Sequence, residues 1–289
     1  MKYVRVQNKP ISGNKTLRLG SALMDLSVPK VMGIINVTPD SFFSGSRSSN
    51  IEMACGNVER MIKAGASIID VGGYSTRPGA ENISVETEIE RTIPVIREIQ
   101  QRFQIPVSID TFRYEVARQA LDSGALLIND VTGGVNDDRL FKLSGEYHVP
   151  YVLMHSRGTP ETMQSLTHYE NLLNDIILHL KKQIDRAHEN GAYDLIIDPG
   201  FGFAKTPDQN FSLLNNLECF KILGKPVLAG LSRKSMVWKT LECQPEEALN
   251  GTTALNMVAL LKGASILRVH DVQEANECIK LFCKLVTSK

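Results

Sequence analysis

Eight short apolar runs recur along this chain of 289 residues, and each ends on or just before a polar or charged side chain. Val31–Val37 reaches Asn36, Ser67–Gly73 carries Asp70, and Val107–Thr111 carries Asp110. Leu126–Thr132 carries Asn129 and Asp130, Tyr151–His155 ends on His155, and Leu195–Gly200 carries Asp198. Val227–Ser232 runs into Arg233 and Lys234, and Ser265–Asp271 carries Arg268 and His270. Polar residues gathered at one end of successive parallel strands are the trace of a (β/α)8 TIM barrel, an α/β fold whose site lies at the C-terminal mouth.

Entry into the runs alternates between two kinds. Four begin after Gly-Ala pairs, at Gly65, Gly124, Gly191 and Gly263, where glycine closes a helix in the left-handed conformation. The other four begin after Pro29, Pro106, Pro150 and Pro226, since proline cannot continue a helix. Between the runs, apolar residues recur at helical spacing, as in Leu172, Ile176, Leu180, Ile184 and Ala187. Pro94 predicts a kink in the segment from Ile89 to Phe103. Strands alternating with helices give a parallel sheet with right-handed crossovers. An open doubly wound sheet is the rival; eight units with functional residues on all of them favour closure. Residues 1–29 precede the barrel at 30–289, and Val4–Val6 with Leu17–Leu19 suggest a hairpin plugging its lower end. The whole chain is expected to be one domain.

A hydrophobic content of 43% suffices for such a core, and a formal net charge of zero lacks the basic footprint of a nucleic-acid binder. No apolar run approaches a membrane span, and Met1-Lys2-Tyr3-Val4-Arg5 lacks the apolar stretch of a signal peptide. The five scattered cysteines show no metal-ligand spacing and suit a reducing, cytoplasmic setting.

The loops carry the chemistry. Asn36 to Ser46 is long and holds Asp40, Phe42 and Phe43, which suits a lid over the mouth; the bland alternative is a solvated turn. Gly72 to Ala80 offers Ser75, Thr76 and Arg77, a set that suits a phosphate. Ser232-Arg233-Lys234-Ser235 opens a helix with an ammonium and hydroxyls, which suits an anion or a carbonyl oxygen. Arg268 and His270 share one side of their strand by period two, which suggests a second anion such as a diphosphate. Asp110, Asn129 and Asp198 sit late in apolar strands, where carboxylates need partners. They read as metal ligands, a general acid/base pair, or acceptors for an N–H-rich ligand. The missing His and Cys partners disfavour a metal, and two carboxylates, an amide and Lys234 match a flat, nitrogen-rich heterocycle.

Five segments together resemble the dihydropteroate synthase family. They are Asn36-Val37-Thr38-Pro39-Asp40-Ser41-Phe42, Ser75-Thr76-Arg77-Pro78-Gly79, Asp198-Pro199-Gly200-Phe201-Gly202-Phe203, Ser232-Arg233-Lys234-Ser235 and Arg268-Val269-His270-Asp271. The resemblance implies condensation of para-aminobenzoate with 6-hydroxymethyl-7,8-dihydropterin diphosphate, with release of diphosphate. It implies that Asp110, Asn129, Asp198 and Lys234 hold the pterin, with Met154 and Phe203 against its face. Asn36 would contact Mg²⁺ on the diphosphate, held further by Arg268, His270 and Arg77. Asp40, Phe42, Thr76, Pro78 and Ser235 would frame the aminobenzoate, with Asp40, Arg77 and Lys234 the catalytic residues. It also implies a homodimer, and the small-residue helix Ala248, Thr252, Leu255, Ala259, Gly263 suits close packing there or on the barrel. Tyr74 stands where the family more often has Glu, and Ala204 where Gly is frequent; Ser156-Arg157 also departs from the common pattern. The rival functions are a methyltetrahydrofolate methyltransferase on the same barrel and a catalytically silent pterin-binding homologue. Neither needs the intact Asp40, Arg77 and His270 set.

Overall fold

The computed structural model describes residues 16–37, 47–75, 82–135, 137–158 and 162–288. A hairpin of β1 (Thr16–Leu19) and β2 (Ala22–Asp25) leads into β3 (Lys30–Asn36) and α1 (Arg47–Ala64). Then follow β4 (Ile68–Gly72), α2 (Val85–Arg102), β5 (Val107–Asp110), α3 (Tyr114–Asp122), β6 (Leu127–Asp130) and α4 (Arg139–Tyr147). The second half holds β7 (Tyr151–Met154), α5 (Leu172–Glu189), β8 (Leu195–Asp198), α6 (Pro207–Asn215) and β9 (Leu228–Ala229). It ends with α7 (Ser235–Trp238), α8 (Leu249–Leu261), β10 (Ile266–Val269) and α9 (Val272–Thr287). The strands β3 to β10 are parallel, in the order β8-β7-β6-β5-β4-β3-β10-β9. A parallel bridge between Ile197 and Val227 joins β8 to the start of β9 and brings the barrel round on itself.

Sequence punctuation sets these elements. Gly65, Gly124, Gly191 and Gly263 all have φ between +89° and +102°, so each Gly-Ala entry does close a helix in the left-handed region. Pro106, Pro150 and Pro226 give no N–H, but their carbonyls accept from Ile69, Ile128 and Ile197 of the neighbouring strands. The Ser84 side chain caps α2, and Thr206 with Gln209 forms a capping box on α6. α2 contains Pro94 and runs continuously from Val85 to Arg102.

The hairpin differs from the sequence expectation. Leu17–Leu19 pairs with β2 across Gly20-Ser21, because a two-residue turn with glycine at φ +60° competes well with a longer connection. Val4–Val6 lies outside the described residues. The plugging role stands: Leu17 and Leu26 pack with Met32, Ile68, Leu127, Val152, Ile196, Leu228 and Ile266, one residue from each of seven barrel strands. These residues form the lowest layer of the barrel interior. The intervening residues, such as Ile69, Ile128, Leu153 and Leu267, face the helices.

Helix α4 shows how tight the outer layer is. Phe141 is fully buried, and its ring lies 5.0 Å from that of Tyr151. Phe141→Ala should cost about 3–5 kcal/mol of stability in urea unfolding, through lost burial and a cavity. A loss below about 1 kcal/mol would mean that the wall closes over the gap and that packing there is loose.

Candidate active site

Period two converts the apolar layer into a polar one. Two residues beyond Ile68, Leu127, Val152, Ile196 and Ile266 stand Asp70, Asn129, Met154, Asp198 and Arg268. Asp110 joins them from β5, paired in register with Asn129. The hairpin therefore seals one end, and polar chemistry faces the other.

Arg268 crosses this layer. Its Nε donates to Asp70 Oδ2 at 2.6 Å, and Nη2 donates to Asp110 Oδ2 at 2.5 Å. Asn129 Nδ2 donates to the same Asp70 oxygen at 2.8 Å. Asp70 is fully buried, and its Oδ1 has no hydrogen-bond partner among the described residues. One guanidinium thus serves two carboxylates. Burial pushes Asp110 up to about 7; Arg268 pulls it down, and the Asp70 carboxylate pushes it further up.

A second charged pair lies across the mouth. Asp198 ends β8, with Oδ1 accepting from the Gly200 N–H at 2.7 Å. Burial raises its pKa against the pull of Lys234. Lys234 stands at the N-cap of α7 and is drawn down to about 8 by burial, with Asp198 opposing. Its ammonium donates to the Phe201 carbonyl and lies 4.6 Å from the centre of the Phe203 ring. Met154 is buried and pairs in register with Asp198. Aromatic, thioether, carboxylate and ammonium groups so gather at the ends of β7 and β8 and the start of α7.

The two expected cations of β10 part company. Arg268 turns inward onto Asp70 and Asp110, whereas His270 Nδ1 lies 3.0 Å from Ser232 Oγ, which also accepts from the His270 backbone N–H. Arg233 is taken up by a two-pronged ion pair to Asp271 at 3.1 and 2.6 Å. Asn36 closes β3 beside Gly72 and is half-buried at the mouth. Ser235 opens α7. Asp40, Phe42, Thr76, Arg77 and Pro78 lie outside the described residues.

Sequence reasoning leaves Asp70 without a role, although it carries the same late-strand polar signature as Asp110. It also leaves out Lys205, which follows the turn after β8 and has no strand pattern to mark it. Lys205 is 5% exposed and is drawn down to about 7 by burial, with Asp198 opposing. Tyr74 packs edge-on against Phe112, with ring centres 5.2 Å apart, and the Arg113 guanidinium lies over both rings. Arg113 also pairs with buried Glu88 at 2.9 Å and donates to the Ile83 carbonyl at 2.6 Å. Ala204 takes φ +48°, which costs a residue with a Cβ about 1–2 kcal/mol. Arg157 stacks over Tyr169 at 3.8 Å. Among the described residues, no group of three or more His, Cys, Asp or Glu side chains is placed to hold a metal ion.

Residues 32–270 match the family model described as pterin binding enzyme. A dihydropteroate synthase of Synechocystis is 45% identical over 258 residues, covering 88% of both chains. That of Escherichia coli is 42% identical over 268 residues, 92% of this chain and 95% of the relative. Among solved structures, Yersinia pestis dihydropteroate synthase in a sulfonamide drug complex superposes with a TM-score of 0.89 at 37% identity, over 94% of this chain and 100% of that one. Xanthomonas albilineans dihydropteroate synthase with 4-aminobenzoic acid gives a TM-score of 0.89 at 37% identity, over 95% and 99%.

Proposed function

We propose the following course of reaction from the premise that this chain belongs to the dihydropteroate synthases, a family of pterin-binding transferases. The reaction joins para-aminobenzoate to the methylene of 6-hydroxymethyl-7,8-dihydropterin diphosphate, releases diphosphate and forms 7,8-dihydropteroate for folate synthesis. The observation that carries the assignment of parts is the polar layer above the plugged end of the barrel, where the buried Asp198 carboxylate and the Lys234 ammonium act on each other's charge and Lys234 lies against the Phe203 ring. A pterin ring presents an amino group, ring N–H groups and a carbonyl. Asp198 accepts from the first two and Lys234 donates to the last, while Asn129 and Asp110 complete the edge. Met154 and Phe203 cover the faces.

The diphosphate then points out of the mouth. Of the cations assigned to it by resemblance, His270 stands at the end of β10 and Arg77 follows β4 in sequence, and both would offset its charge as it departs; Arg268, already held by Asp70 and Asp110, would reach it only by leaving one of them. The residues present fit Mg²⁺ that arrives with the substrate rather than in a protein cage: Asn36 offers one hard oxygen at the strand end, and among the described residues no carboxylate cluster is placed to hold the ion. Bound Mg²⁺ would supply positive charge to the leaving diphosphate. The pterin delocalises the charge left on its methylene, and to Asp40 we assign the stabilisation of that charge. Thr76, Pro78, Phe42 and Ser235 frame the incoming amine. Transfer to the amine requires that water, the competing nucleophile, be excluded.

The same reading extends to assembly and setting. The small-residue face of α8 is not available to a partner, since Ala248, Thr252 and Ala259 are buried against the barrel. Leu261, Leu281, Leu285 and Val286, exposed on α8 and α9, would be covered by a second copy of the chain in a homodimer. All five cysteines are free thiols, in keeping with a cytoplasmic enzyme. No helix among the described residues is long and apolar enough to cross a membrane.

Because burial holds Lys234 at about 8, its charged form donates below that pH and is lost above it. Calorimetric affinity for a pterin analogue should therefore fall as pH rises through about 8. Lys234→Gln should bind about tenfold more weakly at pH 7 and show no such limb. A parental profile in that variant would remove Lys234 from the ring.

Asp40 and Arg77 should behave in the opposite way. Interactions made on the way to the transition state are read in turnover more than in ground-state affinity. Asp40→Ala and Arg77→Ala should keep pterin affinity within a few-fold and lose roughly 100-fold or more in kcat. Parental turnover in both would reduce these loops to connections.

A further inference from the structure

The turn that follows β8 is bent against the preference of most residues. Gly200, Gly202 and Ala204 have φ of +73°, +80° and +48°. A Cβ on Gly200 would meet the His155 carbonyl oxygen at 1.9 Å, so the backbones touch there. This turn carries the Phe203 ring, begins next to Asp198, and offers the Phe201 carbonyl to Lys234. Its shape therefore fixes three of the groups assigned to the pterin site.

Lys205 fastens it. The buried Nζ lies 2.9 Å from the Gly200 carbonyl, 3.0 Å from the Phe203 carbonyl and 3.0 Å from His155 Nδ1. Three acceptors match the three protons of an ammonium, and they leave His155 with its proton on Nε2. Burial and the neighbouring Lys205 charge hold His155 neutral, which suits it as an acceptor. Two other charged groups touch the turn, Asp198 at the Gly200 N–H and Lys234 at the Phe201 carbonyl, each at one point; the neutral bonds are Phe203 N–H to the Gly200 carbonyl, Gly202 N–H to Asn210, and the Tyr169 hydroxyl to the Ala204 carbonyl. Among the described residues Lys205 makes no ion pair. A buried ammonium without a carboxylate in contact is an expensive way to fill space, and Leu or Met would fill it more favourably. What only the ammonium supplies is a simultaneous hold on both ends of the turn and on β7.

We propose that Lys205 is a positioning residue for the pterin: it locks the turn from Gly200 to Ala204 so that Asp198, Phe203 and the Phe201–Lys234 contact meet the ring in one arrangement. The proposal rests on the reading that this site holds the pterin. Its test uses the full chain with Lys205→Met, which keeps the stem and removes the charge, and Lys205→Gln, which keeps donors for the carbonyls. Calorimetry with 6-hydroxymethyl-7,8-dihydropterin should show the dissociation constant raised about tenfold or more in Lys205→Met and partly rescued in Lys205→Gln. The KM for para-aminobenzoate, at saturating pterin diphosphate, should stay within about twofold, because that substrate binds at the loops. A lowered melting temperature with parental pterin affinity at 25 °C would overturn the proposal and leave Lys205 a stabilising residue only. If Lys205→Met does not fold, parental affinity in Lys205→Gln together with parental affinity in His155→Ala overturns it equally, and a raised constant in either supports it. Asp198→Asn separates the two levels. Parental affinity in that variant would move the pterin out of this site, whereas loss there beside parental Lys205→Met would sink the positioning role alone.

Discussion

The guanidinium of Arg268 lies between two carboxylates, Asp70 and Asp110, directly above a layer of barrel interior that is apolar except for Ser108 of β5. A charge in such a place needs partners, and a cation shared by two anions leaves a negative excess. Asn129 takes up part of it by donating to Asp70. This arrangement ties β10, β4, β5 and β6 together across the barrel and fixes the height at which polar chemistry begins. An acidic, hydrogen-bonded shelf of this kind is what the proposed pterin site needs for a ligand rich in N–H groups.

The shelf is rigid, and the groups above it are graded by how firmly they are held. Asp198 and Met154 sit on strands. Phe203 and the Phe201 carbonyl sit on a turn that Lys205 fastens from beneath. In the proposed reading, ring binding belongs to these strand and turn groups. In the same reading, the groups assigned to the diphosphate and the amine come from strand ends and from the segments that follow β3 and β4. Tyr74 adds a firm root to the second of these, wedged against Phe112 under Arg113, where the family more often has a carboxylate. Such a division lets one surface bind the ring while another supplies the contacts made only during transfer.

Much of this was legible in sequence for a simple physical reason. A strand buried on both faces tolerates polar residues only where they meet a ligand or one another, so Asp110, Asn129, Asp198 and Arg268 stood out from their surroundings. Alternation then placed them on the interior side. What stayed hidden was partnership. Arg268 and Asp70 are 198 positions apart, and no local pattern tells whether a cation in a barrel waits for an anionic ligand or is already paired. Lys205 was hidden for a different reason: it follows a turn whose three left-handed residues include Ala204, and only the folded backbone shows the carbonyls converging on its ammonium. The hairpin was misjudged because Ser12-Gly13-Asn14 and Gly20-Ser21 are both credible turns, and the nearer one closes β1.

A dihydropteroate synthase exchanges diphosphate for an amine and keeps water out while it does so. Continuous measurement of diphosphate release from 6-hydroxymethyl-7,8-dihydropterin diphosphate, with and without para-aminobenzoate, tests it most directly. The account predicts release that depends on the amine and matches 7,8-dihydropteroate formed mole for mole. Release at the same rate without the amine, or tight pterin binding with no release at all, would contradict it.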